Sequence, residues 1–213
     1  MKNKRIKILK KRISFRMVLV VLALCTSSII FSQEKPFRIG VKIGFPNVLG
    51  GNIEYVLPLL DNKLSISLDY SSLKADSYLE EGETAKVNYF LGGLNYYFSK
   101  EGKGLYGGLS YGAFKGEGTA VDVYSNDDTK MDGVGKIDLT NNSMNVLIGA
   151  KLGGLFYFRP EIGFAFSGFP KNIDMNVTFP DGSTEIQSVV DAEDIPSIVS
   201  SGLIFNIGFG FAF

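Results

Sequence analysis

The hydrophobic pattern is clearest at the carboxy-terminal end of the sequence, in residues 203–213. Every odd position there is large and apolar, and four of the five even positions are small or polar. The apolar positions are Leu203, Phe205, Ile207, Phe209, Phe211 and Phe213. Because successive side chains of a β-strand point to opposite faces, this pattern predicts a strand with one apolar face and one small or polar face.

The same period of two recurs in seven earlier segments, so the sequence predicts eight strands. They cover residues 37–45, 52–60, 64–71, 87–98, 105–113, 144–152, 156–166 and 203–213. Short turns follow the first, second, fourth and sixth strands, at residues 46–51, 61–63, 99–104 and 153–154. Polar loops follow the other three, at residues 72–86, 114–142 and 167–201. Pro58 is expected near a strand end or at a bulge, because proline cannot donate a ladder hydrogen bond.

Two cations on the small face of the first strand decide which kind of barrel or sandwich this is. Phe37, Ile39 and Val41 alternate there with Arg38, Gly40 and Lys42. A soluble ligand-binding barrel has an apolar interior, whereas here the inner face is polar. An even number of strands, with short turns at one end and longer loops at the other, is the topology of an outer-membrane barrel. The sequence therefore predicts an all-β fold, an eight-stranded antiparallel transmembrane β-barrel with up-and-down meander order.

Several charged residues are predicted to face the lumen of this barrel. They are Arg38, Lys42, Glu54, Asp69, Lys151, Arg159 and Glu161. An eight-stranded barrel is just wide enough to be filled by its own side chains, and buried charges need partners. We therefore predict an internal salt-bridge and hydrogen-bond network that plugs the barrel. A narrow ion path lined by the same residues is the alternative.

The last loop contains a second, shorter alternation that predicts a surface hairpin over residues 172–190. Its apolar positions are Ile173, Met175, Val177 and Phe179. Asp181 and Gly182 follow Pro180, in a sequence typical of a tight turn. An exposed strand edge can pair with a strand of a partner, so we expect recognition of an extracellular protein through this loop. The alternative is a hairpin that merely packs over the barrel mouth.

The amino-terminal residues predict a signal peptide over residues 1–32, followed by the barrel domain at 33–213. Residues 1–16 carry eight basic side chains and no acid, and residues 17–31 are mostly apolar. That apolar stretch is short for a membrane helix. Without the leader, 14 basic residues stand against 22 acidic ones. So acidic a domain is not expected to bind nucleic acid.

The inventory of reactive side chains argues against catalysis. The sequence has no histidine, and its single cysteine, Cys25, lies in the predicted leader. No thiol nucleophile is therefore expected in the barrel domain, and no acidic run has the spacing of a calcium-binding loop. We predict neither an enzyme activity, nor a cofactor, nor a metal site.

Together, the leader, the eight strands and the closing residues 203–213 resemble small outer-membrane barrels of Gram-negative bacteria. These are the OmpX and OmpA transmembrane-domain types, including PorT-like families. The resemblance implies insertion in the outer membrane, with lipid and lipopolysaccharide as neighbours. It also implies that Phe209, Phe211 and Phe213 form the signal read by the barrel assembly machinery. Known enzymes of this class use a histidine, which this sequence lacks. A structural or adhesive role, a small pore, or an accessory role in secretion or envelope assembly would each fit the resemblance.

Overall fold

The computed structural model describes residues 35–99, 102–125, 132–170, 172–190 and 201–213. They form ten strands, with one short 3-10 turn at Asp76–Tyr78. The strands are β1 (Phe37–Phe45), β2 (Val48–Val56), β3 (Leu64–Lys74), β4 (Thr84–Tyr97), β5 (Gly104–Val123), β6 (Gly133–Gly153), β7 (Phe156–Ala165), β8 (Ile173–Thr178), β9 (Thr184–Val190) and β10 (Leu203–Ala212). None of the helical segments in these ranges is long and apolar enough to cross a membrane. The signal peptide predicted at residues 1–32 lies outside the described residues.

Eight of the ten strands close into a barrel. Each of β1 to β6 pairs antiparallel with the next strand, β7 pairs with β10, and β10 pairs with β1. In the closing seam Gly40 lies opposite Gly210, and Lys42 lies opposite Gly208. The predicted fold class, a closed eight-stranded antiparallel meander, is confirmed. Closure leaves no unpaired edge in the wall, as a barrel in lipid requires.

The outer surface of the barrel is an apolar belt. The large side chains that alternation assigns to the outside are exposed on every barrel strand. They include Ile39, Val41, Ile53, Leu68, Phe90, Leu94, Leu109, Val146, Ile162 and Phe209. The residues between them are buried and mostly polar or small. This inversion of a soluble core is the arrangement of a transmembrane barrel.

The second strand differs from the prediction. It begins at Val48 and ends at Val56, rather than covering residues 52–60. Gly50, interpreted as a turn residue, lies within the strand, where a Cβ would approach the Tyr70 carbonyl oxygen to 2.6 Å. This glycine therefore provides close approach between strands rather than a turn. Pro58 lies just beyond the strand end, as expected.

Strands β5 and β6 also differ from the prediction, because they extend well beyond the apolar belt. The predicted loop at 114–142 is mostly strand: β5 continues to Val123 and β6 begins at Gly133. The two strands remain paired there, with Thr119 opposite Lys136. Neither face belongs to the apolar belt at this height, so large apolar residues no longer mark every second position. To a smaller extent β3 and β4 also run on, and their loop shortens to residues 75–83.

The hairpin predicted in the last loop is formed by β8 and β9, with its turn at residues 180–183. It does not stand alone, since β8 pairs with the extension of β6, Asn176 lying opposite Lys136. Three apolar side chains of the hairpin are buried beside Ala120, Val123 and Ile137 of the extended strands. They are Met175, Val177 and Phe179. The hairpin thus joins a sheet built on the extended ends of β5 and β6.

Candidate functional site: the charged barrel interior

All seven charged residues predicted to face the lumen do so. They lie on β1, β2, β3, β6 and β7, and each exposes 3% or less of its surface. Alternation along the strands explains this placement, because each charge occupies the same face as its small or polar neighbours. At this degree of burial, an ionised side chain is stable only with partners close at hand.

Glu54 is the centre of the half of the lumen nearer the short turns. Its Oε2 lies 2.9 Å from Arg38 Nη1 and 3.1 Å from Arg159 Nη1. Its Oε1 accepts hydrogen bonds from the Tyr97 hydroxyl, at 2.9 Å, and from Ser65. One carboxylate thus faces two guanidinium groups and two hydroxyl donors, all of them inside the barrel.

Lys42 is the centre of the half nearer the long loops. Its Nζ lies 2.6 Å from Asp69 Oδ2 and 2.9 Å from Glu161 Oε2. Asn52 donates to the same aspartate, and Asn206 donates to Glu161 Oε2 at 3.3 Å. A single ammonium therefore links carboxylates on β3 and β7.

Arg159 connects the two halves. Besides the contact with Glu54, its Nε lies 3.0 Å from Glu161 Oε1 and donates to the Tyr106 hydroxyl at 2.7 Å. The guanidinium carbon is 4.8 Å from the centre of the Tyr106 ring, within cation–π range. Gly208, opposite Arg159 in register, leaves room for this side chain and for Lys42 at the seam. The ion pairs therefore form one connected network.

Lys151 is buried in the lumen but stands apart from this network. Its Nζ lies 5.1 Å from the centre of the Tyr157 ring. Within the described part of the chain it has no carboxylate partner at salt-bridge distance. The remaining six predicted residues, three cations and three anions, balance one another.

Sequence reasoning did not assign several uncharged members of the network. They are Asn52, Ser65, Tyr97, Tyr106 and Asn206. Alternation places all of them on inward positions. A search for hydrogen-bonding side chains on lumen-facing positions would therefore have found them. Which charge each of them contacts depends on strand pairing and side-chain reach.

The loop end of the lumen is covered by an aromatic side chain. Phe169, from the segment after β7, lies with its ring centre 5.4 Å from that of Phe45 and 4.7 Å from that of Phe114. Those two rings belong to β1 and β5, on opposite sides of the barrel. Beneath lies a cavity of about 20 Å³ that Tyr89 and Asn145 help to line. It offers space for about one water molecule.

Within the described residues, no group of three or more His, Cys, Asp or Glu side chains is placed to hold a metal ion. The carboxylates of the lumen are instead occupied by arginine, lysine and hydroxyl donors. Chemically, the arrangement pairs buried charges of the barrel interior with one another.

No family model matches the chain, and neither does any curated protein sequence. Among solved structures, Acinetobacter baumannii CarO is similar at 14% identity and a TM-score of 0.45, covering 86% of this chain and 100% of its own. The N-terminal β-barrel domain of Pseudomonas aeruginosa OprF has 14% identity and a TM-score of 0.38, covering 85% and 100%. A major outer membrane protein from Thermus thermophilus has 14% identity and a TM-score of 0.41, covering 83% and 99%. At these identities and scores the similarities carry no information about function.

Proposed function

We propose that this chain is an outer-membrane barrel that does not conduct. We also propose that it acts through an extracellular sheet, formed by β8, β9 and the extended ends of β5 and β6. The observation that carries the proposal is the charge network, which reaches across the lumen from β2 to β7 and from β3 to β7. Tyr97 and Tyr106, with ring centres 5.0 Å apart, add bulk to the same layer. An eight-stranded barrel filled in this way has little room for an aqueous path.

Bilayer recording tests the closed lumen. The full chain is expressed in a Gram-negative host, purified from its outer membrane, checked for a boiling-dependent gel shift and inserted into planar bilayers. We expect the shift and no steady current. The double variant Arg159→Ala/Tyr106→Ala removes the centre of the network and should conduct, which shows that the assay detects a path. Phe158→Ala, on the outer face beside Arg159, is the matched control. A steady current from the unaltered chain would overturn the proposal.

The extracellular sheet supports the second half of the proposal, a role in surface recognition. Among the described strands β9 pairs only with β8, so its other edge is not covered by a strand. Ile186, in the middle of β9, exposes 70% of its surface. Side chains of β9 also reach the end of β5: Gln187 donates to the Tyr124 carbonyl at 2.8 Å. This edge is therefore both held in place and open to a strand from an extracellular protein.

The recognition role is tested by the adhesion of cells that carry the protein on their surface. Ile186→Lys places a charge on the open edge, where lysine disfavours strand pairing. We expect fewer cells retained under flow on protein-coated surfaces. Thr178→Lys, on the exposed face of β8, adds the same charge away from the edge and should leave retention unchanged. Equal retention of cells carrying the unaltered chain, Ile186→Lys or Thr178→Lys would overturn the proposed role of the β9 edge in recognition.

A further inference from the structure

Three lysines lie on the outside of neighbouring strands, on the loop side of the apolar belt; Lys115 lies opposite Asn88, one row closer to the belt than the other two. On each strand the lysine is four residues nearer the loop end than the last outward-facing aromatic side chain. An even number of residues keeps both side chains on one face, and four residues of strand span about 13 Å. The pairs are Tyr70 and Lys74 on β3, Phe90 and Lys86 on β4, and Tyr111 and Lys115 on β5.

The aromatic members of these pairs mark the upper edge of the apolar belt. Tyr70, Phe90 and Tyr111 are all exposed on the outer surface. Aromatic girdles of membrane barrels lie at the boundary between hydrocarbon and headgroups. The three lysines therefore lie at the level of the lipid headgroups, where a long side chain can bend toward a phosphate.

Two of the three lysines face each other directly. Lys74 and Lys86 are partners in the β3–β4 register. Like charges in that position are unfavourable, because opposed Cβ atoms are only about 5 Å apart. On its other side Lys86 lies opposite Glu117, but that carboxylate accepts a bond from Lys115 at 2.6 Å.

Neither Lys74 nor Lys86 has a salt bridge within the described ranges. One row closer to the belt, the Ser72 hydroxyl donates to the side-chain oxygen Oδ1 of Asn88 at 2.8 Å. Two cations and two polar side chains thus form a strip on the outer surface, directly above apolar wall. The arrangement lacks an anion between the lysines.

We propose that Lys74 and Lys86 bind a phosphate of a phosphorylated lipid in the outer leaflet, with Lys115 at the edge of the site. The inference rests on the proposed outer-membrane location. A free phosphate ion would supply the same charge. The belt immediately below, with Tyr70 and Phe90 at its edge, contacts the acyl chains of a lipid while its headgroup reaches the lysines. The occupant is therefore a phosphate carried on a lipid, as in the lipid A part of lipopolysaccharide.

Native mass spectrometry of the detergent-solubilised full chain tests this site. The probes are bis-phosphorylated lipid A, the same lipid with both phosphates removed, and inorganic phosphate. We expect the phosphorylated lipid to bind about tenfold more tightly than the dephosphorylated one. We expect Lys74→Gln/Lys86→Gln to remove that difference. Lys136→Gln, on the same outer face but higher on β6, is the matched control and should bind like the unaltered chain.

The possible results separate cleanly. Unchanged preference for the phosphorylated lipid in the double variant would overturn the site. Inorganic phosphate that displaces lipid A at equal concentration would overturn the lipid assignment. Membrane fractionation and the gel shift are read on the same preparations. A chain outside the outer membrane would therefore refute the proposed function, whereas a correctly located chain without phosphate preference would refute this inference alone.

Discussion

Arg159 and Glu54 meet across the closing seam of the barrel, with 3.1 Å between Nη1 and Oε2. They belong to β7 and β2, which are separated in the wall by β10 and β1. No local pairing of strands brings these two side chains together, since they contact each other only through the interior. The contact joins the two clusters of charges into one network, and it makes Glu54 the shared partner of two arginines.

Replacing Glu54 should be strongly destabilising. Glu54→Gln leaves the guanidinium groups of Arg38 and Arg159 near each other without the anion between them. Breaking a buried pair by removing one partner costs about 3–5 kcal/mol. The measurement is the free energy of unfolding in urea, followed by far-UV circular dichroism because the chain has no tryptophan. Glu117→Gln, which breaks the exposed pair with Lys115, should leave that free energy unchanged. A similar effect from both variants would contradict a special role for the interior.

Replacing Lys42 should also be destabilising, here because a cation is removed from between two anions. Lys42→Met leaves Asp69 and Glu161 without the ammonium that separates them. We expect the folded band on unboiled gels to be lost at a lower temperature. Neutralising Asp69 as well, in Lys42→Met/Asp69→Asn, should recover much of the loss, because two cations then balance two anions and Glu161 keeps its pair with Arg159. A double variant less stable than the single one would show that packing, rather than charge balance, dominates at this position.

The extracellular sheet should be able to unfold while the barrel remains folded. Val177 is fully buried in the small apolar cluster, so Val177→Asp places a carboxylate where it has no water, a costly change. We expect protease added to intact cells to cut the hairpin in this variant and not in the unaltered chain. Asn176→Asp, the exposed neighbour on β8, should resist cleavage. The gel shift of the barrel should persist in both, and its loss in Val177→Asp would show that sheet and barrel unfold together.

Phe169 should control access to the lumen from the loop end. The predicted barrel domain has no cysteine, so a single Ser143→Cys can report access to the cavity beneath the ring. In the otherwise unaltered chain we expect little reaction with a membrane-impermeant thiol reagent. Adding Phe169→Ala should raise the rate of labelling at least tenfold, because it removes the ring between Phe45 and Phe114. Adding Phe166→Ala instead, on the outer surface, should not. Fast labelling of Ser143→Cys with Phe169 in place would show that the loop end of the lumen is already open.

The sequence was sufficient for the barrel because lipid imposes a strict period of two. In β3, Ile66, Leu68 and Tyr70 are exposed while Ser67 and Asp69 are buried, as alternation predicts. The same signal placed Tyr97 and Lys151 inside. It fails beyond the apolar belt: the upper halves of β5 and β6 lack large apolar residues at every second position, so the pattern predicts a loop there.

The partners within the lumen could not be predicted in the same way. Alternation gives the direction of each side chain but not its height in a tilted barrel. That Lys42 contacts Asp69 and Glu161, while Arg159 takes Glu54, depends on the stagger between strands far apart in sequence. The hairpin could be predicted from its own alternation, but its packing on β6 could not. That packing depends on Gly133 and Gly135, whose missing side chains admit Val177 and Met175.

The pair of Lys42 and Glu161 has a consequence for assembly. Lys42 lies on β1 and Glu161 on β7, with the final strand between them. Before the sheet closes into a barrel, the two groups are not held close to each other. They meet only when the last strand is seated between its neighbours. Formation of the ion pair therefore coincides with closure of the barrel and not with the formation of any single hairpin.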